Sequence, residues 1–301
     1  MTTTPASPSP SQSPEAPAAR ATVQPMATAV GKSLPPGHYG PLQLLGSEWT
    51  KLRTVRSTAW TLVVTVAMVV GIGALATAAT AARWRSGGVI DRIGFDPTAR
   101  SLAGLFFGQI AMGVLGVLVM SAEYSTGTIR ATFAAAPNRP LVLVCKAAVF
   151  GAVALVTSEI LTFAAFLIGQ QLLKGSTPYA TLGQPGVLRA VAGAGLVLAV
   201  VGLFALGLAT IIRHTAGAIA AYVGTMLVLP LILQAFPTSI QQDVIKWLPL
   251  VIAENMASTR STLRAFGGVT PFSPWVGFLI LCGYTVALLV IGGILLNKRD
   301  A

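Results

Sequence analysis

The chain has 301 residues, of which 54% are hydrophobic and only 10% are charged, and its mean hydropathy is +0.75. Soluble domains carry about a quarter of their residues as Asp, Glu, Lys or Arg, so this composition excludes an ordinary soluble domain and predicts a membrane protein. The formal net charge is +11, but the Lys and Arg residues fall mostly at the ends of apolar runs, where they bind anionic headgroups and set topology. No basic face interleaved with aromatic residues is present in the sequence, so we expect no nucleic-acid partner.

The N-terminal segment, residues 1–40, is rich in Pro, Ser, Thr and Ala and has almost no large apolar residue. Such a segment buries too little surface to offset the entropy lost on ordering, so we predict a disordered tail. Gly31-Lys32-Ser33 is similar to the end of a phosphate-binding P-loop, but Met26 stands where the first glycine is required and no strand is predicted before it. We therefore expect no nucleotide site in this segment.

Residues 41–59 predict an amphipathic helix. Leu42, Leu45, Trp49 and Leu52 recur at helical spacing. The polar positions that give the helix a basic face are Gln43, Glu48, Lys51, Arg53 and Arg56. A helix with this pattern is suited to the headgroup plane, with Trp49 on its apolar side. The alternative is that the segment is only a positively charged entry into the first membrane span.

Six apolar runs long enough to cross a bilayer follow, since a span needs about 20 residues. They are residues 60–82, 102–122, 141–171, 187–212, 216–236 and 275–296. Because backbone polar groups in lipid must bond internally, we expect all six runs to be helices. The sequence therefore predicts an all-α, polytopic membrane protein whose six-span domain occupies residues 60–301.

The orientation follows from the basic residues that crowd the start of the first span, which are Lys51, Arg53 and Arg56. The positive-inside rule places them, and hence the N-terminus, in the cytoplasm, and six spans return the C-terminus to the same side. Several arginines in the first outward loop weaken this bias, so the N-terminal group decides the prediction.

With this topology, residues 123–140 form the largest inward loop between spans. Ser125 or Thr126 is predicted to cap a short helix there, with Gly127 within its first turn. Two prolines are expected to end this helix before the third span begins.

The short helix carries Ile129 and Phe133 four positions apart, so both would share one face while Arg130 projects elsewhere. We predict a compact apolar knob with a nearby charge, suited to a groove on a cytoplasmic partner. The alternative is a solvated connector, and the residues alone leave both interpretations open.

Glu159 is the one acidic residue deep in a predicted span. A carboxylate there is costly unless it is paired or protonated, which makes it a candidate functional residue. It could line a substrate path or sense protons, with Ser158 or Thr162 as polar neighbours. It could equally be a neutral acid bonded to a backbone carbonyl or to a facing helix.

The sequence contains few side chains that could form a catalytic site. The two histidines are His38, in the tail, and His214, at a predicted helix end, and the sequence contains neither H-E-x-x-H nor G-x-S-x-G. Cys145 and Cys282 both fall in apolar segments, as buried hydrophobes do. We therefore expect no catalytic, cofactor or metal site in this chain. An ATP-independent, ion- or proton-coupled carrier is an alternative class, although its inverted repeats and midplane charges are not evident beyond Glu159.

Two motifs give a resemblance to a known family. The first, before the first span, is Glu48-x-x-Lys51-Leu52-Arg53-Thr54-x-Arg56-Ser57-Thr58. The second, after the second span, is Glu123-Tyr124-Ser125-Thr126-Gly127-Thr128-Ile129-Arg130. With six spans in this arrangement, the chain from about Pro41 onward resembles type-2 ABC permeases, the membrane subunits of bacterial ATP-binding-cassette exporters.

The resemblance implies an interfacial helix in residues 41–59 and, in residues 123–140, a coupling helix that contacts a separate ATPase subunit. The implied interfacial residues are Glu48, Lys51, Arg53 and Arg56, to which the residue pattern adds Trp49. The implied coupling residues are Glu123, Tyr124, Gly127, Thr128, Ile129 and Arg130, to which the pattern adds Phe133. The outward loop, residues 237–274, is expected to form short helices that re-enter the outer leaflet.

The resemblance further implies two six-span subunits, as a homodimer or a heterodimer, above two ATPase subunits that bind ATP and magnesium. This chain would then be a non-enzymatic permease subunit of an exporter in the bacterial plasma (inner) membrane, in contact with lipid, with both termini cytoplasmic. Its apolar, charge-poor interior suits an amphipathic or hydrophobic substrate. A non-transporting immunity or regulatory role is a further alternative.

Overall fold

The computed structural model describes residue 2 and residues 40–86, 94–259 and 270–298. The predicted disordered tail, apart from Thr2 and Gly40, lies outside the described residues, and so does part of the predicted re-entrant loop, residues 260–269. Every regular element within the described ranges is helical. This confirms the predicted all-α fold.

The described residues form eleven helices, numbered here in chain order. They are α1 (Pro41–Thr54), α2 (Arg56–Arg83), α3 (Pro97–Ser101), α4 (Leu105–Ser125), α5 (Thr128–Ala135), α6 (Arg139–Leu173), α7 (Val187–Ile212), α8 (Thr215–Leu233), α9 (Thr238–Val244), α10 (Pro249–Ala257) and α11 (Pro274–Lys298). Two π-helical turns, Ala67–Gly71 and Gly224–Val228, lie within α2 and α8, and a 3-10 turn, Ile245–Trp247, precedes α10.

Six of these helices are long and apolar enough to cross a membrane, namely α2, α4, α6, α7, α8 and α11. The six predicted apolar runs are therefore confirmed as long apolar helices, with boundaries that shift by a few residues. The bounds of α7 coincide with the predicted run. A bundle of this kind is compatible with a multi-pass membrane protein.

The helix α7 is the centre of the bundle, because α4, α6, α8, α10 and α11 all pack against it. Of its most apolar stretch, 67% is buried inside the protein, against 22% for α2 and for α8. Glycines permit the close approach: Gly116 of α4 lies against the backbone of Gly202 in α7, and Gly207 of α7 lies against Leu288 of α11. Small residues at these crossings let the helix backbones approach closely and pack by van der Waals contact.

Contacts between helix termini define two ends of the bundle. At one, Arg139 at the start of α6 donates a 2.8 Å hydrogen bond to the carbonyl of Leu296 near the end of α11. This end, called here the α5 end, also carries α1 and α5. At the other, Gln170 near the end of α6 donates a 3.0 Å hydrogen bond to the carbonyl of Pro97 in α3. That end carries α10 and is called here the α10 end.

Candidate functional site

The helix α1 begins directly after Gly40, whose N–H donates to the Gln43 side chain at 3.0 Å. A helix is thus present in this region, but it ends at Thr54 and not at residue 59, so Arg56 belongs to α2. The buried face of α1 also differs from the predicted apolar stripe. Leu44 and Glu48, four positions apart, are the buried residues of α1, whereas Trp49 is 51% exposed. The reason is that α1 packs against α6, and the surface it meets there includes a buried cation.

That cation is Lys146, which joins Glu48, Lys51 and Glu123 in an ionic cluster. The Lys146 ammonium contacts Glu48 Oε2 and lies 2.8 Å from Glu123 Oε1. The Lys51 ammonium lies 2.6 Å from Glu48 Oε1 and 2.8 Å from Glu123 Oε1. Two carboxylates and two ammonium groups therefore alternate, and they join α1, the end of α4 and the start of α6.

The cluster is deeply buried for a group of four charges. Glu48, Glu123 and Lys146 are all less than a tenth exposed, and only Lys51 reaches solvent. Burial alone would lower the pKa of Lys51, but its hydrogen bonds with Glu123 and Glu48 raise that pKa above the ordinary value of 10.5. The formal charges sum to zero, so no net charge is buried. Each member nevertheless depends on its partners, because an isolated buried charge is costly.

Glu123 is the member on which both lysines converge. Its Oε1 accepts from Lys51 and from Lys146, whereas its buried Oε2 has no hydrogen-bond partner among the described residues. Removal of the Glu123 carboxylate would therefore remove the ion pairs that link α4 to α1 and to α6.

The helix α5 follows α4 through a left-handed residue, Gly127, with φ of 70°. The predicted cap at Ser125 or Thr126 is wrong. Both hydroxyls instead donate to the carbonyl of Ala122 and close the end of α4, and α5 begins at Thr128 without a side-chain cap. Gly127 therefore lies between the two helices and not within the first turn of α5. Glycine suits this position because it adopts positive φ without steric cost.

Ile129 and Phe133 share one face of α5, as predicted, but that face points into the protein. Ile129 is 3% exposed within the main apolar core, and Phe133 packs half-buried against the same core and against Leu44 and Ala136. The prediction of an apolar knob offered to a partner is therefore wrong, since an amphipathic helix on the surface of an apolar bundle buries its apolar face. The residues of α5 left exposed are Thr128, Arg130, Ala131, Ala134 and Ala135.

Tyr124, the neighbour of Glu123, is half-buried beside the end of α7. The guanidinium of Arg213 lies 5.6 Å from the centre of its ring, within cation–π range. Arg213 also donates a 3.1 Å hydrogen bond to the carbonyl of Leu295 in α11. The end of α4 is thereby connected to α7 and α11 as well as to the ionic cluster.

A cavity of about 360 Å³ opens beside the cluster. Lys51, Glu123 and Lys146 contribute to one wall, and the hydroxyl residues Ser57 and Thr128 contribute to the others. The cavity separates the first turns of α2 from the α4–α5 junction. Movement of α5 relative to α2 therefore has free volume available to it.

The remaining predicted site residues lie apart from the cluster. Arg53, Arg56 and Arg130 are exposed. Glu159 lies in the middle of α6, half-buried, with its carboxyl group against Gly195 of α7. That carboxyl group has no hydrogen bond or ion pair to any described residue, and Thr162 donates only to the backbone carbonyl of Glu159, at 3.2 Å.

Lys146 is the cluster residue whose role the sequence did not reveal. The available signal was its position within the apolar helix α6, where a buried cation requires an anionic partner. Glu48 and Glu123 are the acids of the two motifs, so both could have been proposed as that partner.

The two motifs that carry the resemblance thus meet in space through Glu48, Lys51 and Glu123. Comparison with known proteins adds no family assignment, and the resemblance rests on these residues and on the six spans. No protein-family model and no curated protein matches this chain.

Proposed function

We propose that this chain is the permease subunit of a type-2 ABC exporter of the bacterial plasma membrane, with the α5 end in the cytoplasm. In this proposal a separate ATPase subunit docks on the exposed face of α5 and supplies the ATP, magnesium and catalysis. Two copies of the chain, or this chain and a related one, would enclose the path of an amphipathic or hydrophobic substrate.

The observation that carries the proposal is the position of α5 between two partners of one ion pair. Glu123 precedes α5, Lys146 follows it, and their 2.8 Å contact closes the base of the segment between them. Lys51 and Glu48 then connect that base to α1. A force applied to α5 is delivered to α1, α4 and α6 together, because the polar contacts at its base leave little freedom for α5 to move alone.

The mechanism requires no chemistry in the permease itself. Closure of the ATPase subunits on ATP would displace α5, and the ionic cluster would pass that displacement to α1, α4 and α6. Such a shift changes the equilibrium between inward and outward arrangements only if the ATPase contacts the two arrangements differently. The exposed residues Thr128 and Arg130 are the side chains proposed to make those contacts.

A crosslinking experiment tests this docking. Cysteine would be introduced at Thr128 or Arg130 in a chain lacking Cys145 and Cys282, and a candidate ATPase would carry one cysteine in its docking surface. We expect crosslinking that ATP modulates. The matched control is a cysteine at Asp243, an exposed residue of α9 near the α10 end. Equal crosslinking at Asp243 would contradict the docking site.

Two alternatives make different predictions in the same reconstituted system. An ion- or proton-coupled carrier would transport without any ATPase, and Glu159 is the residue it would use. An immunity or regulatory protein would bind its ligand without net transport in the presence of the ATPase and ATP. ATP-dependent transport by the complex and none by the permease alone would exclude both.

A further inference from the structure

A second cavity, of about 170 Å³, lies at the α10 end, away from the ionic cluster. It is a partly open cavity lined by residues of α3, the start of α4 and the end of α10. Leu102 and Phe106 provide apolar walls, and two polar side chains, Gln109 and Glu254, line it from opposite helices. This cavity has no part in the function proposed above.

Gln109 is 1% exposed, and neither its Oε1 nor its Nε2 has a hydrogen-bond partner among the described residues. Its backbone is held firmly, because the Tyr222 hydroxyl donates a 2.7 Å hydrogen bond to the Gln109 carbonyl across the space left by Gly113. Buried amide groups are normally hydrogen-bonded, and leaving both ends unpaired costs free energy. An unpaired amide beside a cavity is a candidate hydrogen-bonding group for a molecule that binds there.

Glu254 supplies the second polar group. Its carboxylate has no hydrogen bond or ion pair to any residue in the described part of the chain. Two charged groups of the described residues at this end have other partners: Arg189 of α7 donates to the carbonyls of Met256 and Ser258, and Asp96 accepts from Thr259. Burial raises the pKa of Glu254 to about 7, so the carboxylate is available as an anion at neutral pH and above.

We propose that this cavity binds an alkylammonium group, with the Glu254 carboxylate and Gln109 Oε1 as the acceptors of its N–H groups. A hydroxyl or ether oxygen on the ligand would accept from Gln109 Nε2 and complete the pairing of the amide. The apolar walls formed by Leu102 and Phe106 take the methylene groups.

The size and composition of the cavity define this ligand class. A cavity of about 150 Å³ holds a benzene molecule, so this one has room for about six non-hydrogen atoms. A calcium or magnesium ion is disfavoured, because it requires six or more oxygen ligands, and the polar side chains that line the cavity in the described part of the chain are three: Gln109, Glu254 and Ser258. An ammonium group needs fewer acceptors and tolerates apolar neighbours.

The test uses the purified chain in detergent, with 4-aminobutan-1-ol as the probe and butane-1,4-diol as its neutral counterpart. Saturation-transfer NMR would measure both ligands. We expect saturable binding of the amine and about tenfold weaker binding of the diol, because a charge-assisted hydrogen bond contributes more than a neutral one. Equal binding of the two ligands would overturn the proposal, and so would the absence of saturable binding of the amine.

Two variants test the assigned residues. Glu254→Gln is expected to weaken amine binding about tenfold, and Gln109→Leu about fivefold. The control Asp243→Asn removes the same charge from an exposed site near the same end and should leave binding unchanged. Unchanged binding in a folded Glu254→Gln protein would contradict the assignment.

A measurement on the unmodified chain covers the case in which Glu254→Gln does not fold. Because the pKa of Glu254 is about 7, the ionised fraction falls about tenfold between pH 8 and pH 6, while an alkylammonium stays protonated throughout. Amine binding should weaken by about that factor, and a pH-independent affinity would overturn the proposal. No ATPase is present in these experiments, so failure of ATPase docking on α5 leaves their result unaffected.

Discussion

Lys146 Nζ lies 2.8 Å from Glu123 Oε1, although the two residues are 23 positions apart on different spans. Everything between them, including α5, forms a closed segment with an ion pair at its base. Glu48 contacts the same lysine from α1. Three elements that lie far apart in the sequence are thus connected by four side chains, three of which are almost fully buried.

The first prediction concerns the dependence of this cluster on each member. Lys146→Met should destabilise the protein by about 3–5 kcal/mol, because Glu48 and Glu123 would be left buried with fewer compensating charges. Thermal unfolding of the purified chain measures this change. The triple variant Lys146→Met, Glu48→Gln, Glu123→Gln should be destabilised less than Lys146→Met alone, since it leaves no unpaired carboxylate.

The matched control for this prediction is Lys246→Met. Lys246 is 3.7 Å from Asp243, but Asp243 is 84% exposed, and surface pairs of this kind contribute about 0–1 kcal/mol. If Lys246→Met and Lys146→Met shift the unfolding temperature equally, the cluster does not hold α1, α4 and α6 together.

The second prediction concerns the left-handed junction between α4 and α5. Gly127→Ala should cost about 1–2 kcal/mol, because a Cβ at φ of 70° is strained even though no neighbouring atom obstructs it. Gly127→Pro should be worse, since proline cannot adopt positive φ. Unfolding temperature measures both effects.

Gly46→Ala provides the comparison for that substitution. Gly46 is an exposed residue within α1 with no atom near its potential Cβ, so alanine there should stabilise by about 0.5–1 kcal/mol through helix propensity. Opposite signs for the two Gly→Ala substitutions are expected. The same sign would mean that Gly127 is not held in the left-handed conformation.

Much of the fold was predictable from the sequence, because a span needs only a long apolar run and its internal hydrogen bonds. Long-range contacts were not predictable in this way. Glu48 looked like part of a solvated polar face, since helical spacing shows which residues share a face but not what that face meets. The face of Ile129 and Phe133 was predicted correctly, yet its direction depends on the core that surrounds it.

The same limit applies to the cavity at the α10 end. Gln109 is one polar residue within an apolar helix, and Glu254 appears in the sequence as an interruption of an apolar patch. The local sequence around each residue does not indicate that the two lie close together in space, because their proximity depends on how α10 packs against α7 and α11. Their shared cavity could be found only once the helices were packed.

The third prediction concerns the proposed docking face. Arg130 is exposed on α5 and is not part of the ionic cluster, so Arg130→Glu should leave the unfolding temperature unchanged. In a complex with the ATPase it should reduce the coupling of ATP hydrolysis to transport, because it reverses a charge at the docking surface. Reconstituted vesicles allow both rates to be measured together. Arg100→Glu, an exposed reversal at the α10 end, should leave coupling intact, and equal losses in the two variants would refute a specific role for Arg130.

The fourth prediction concerns the stability of the chain as a function of pH. Burial raises the pKa of Glu254 from the ordinary 4.5 to about 7, so the folded state binds more protons than the unfolded state between these values. The folding stability that the protonated Glu254 carboxyl preserves is therefore present at low pH. It is lost as the pH rises from about 4.5 to about 7. The stability of Glu254→Gln relative to the unmodified chain should therefore rise by about 1–3 kcal/mol between pH 5 and pH 8.

Unfolding temperatures measured from pH 5 to pH 8 provide this comparison, with Asp243→Asn as the control that retains the full pH dependence. An alkylammonium ligand should reverse the effect at pH 8, because it compensates the carboxylate that burial penalises. At the same amine concentration, the unfolding temperature should therefore rise more for the unmodified chain than for Glu254→Gln at pH 8. Parallel pH profiles for the two proteins would show that Glu254 is ionised in the folded state throughout this range.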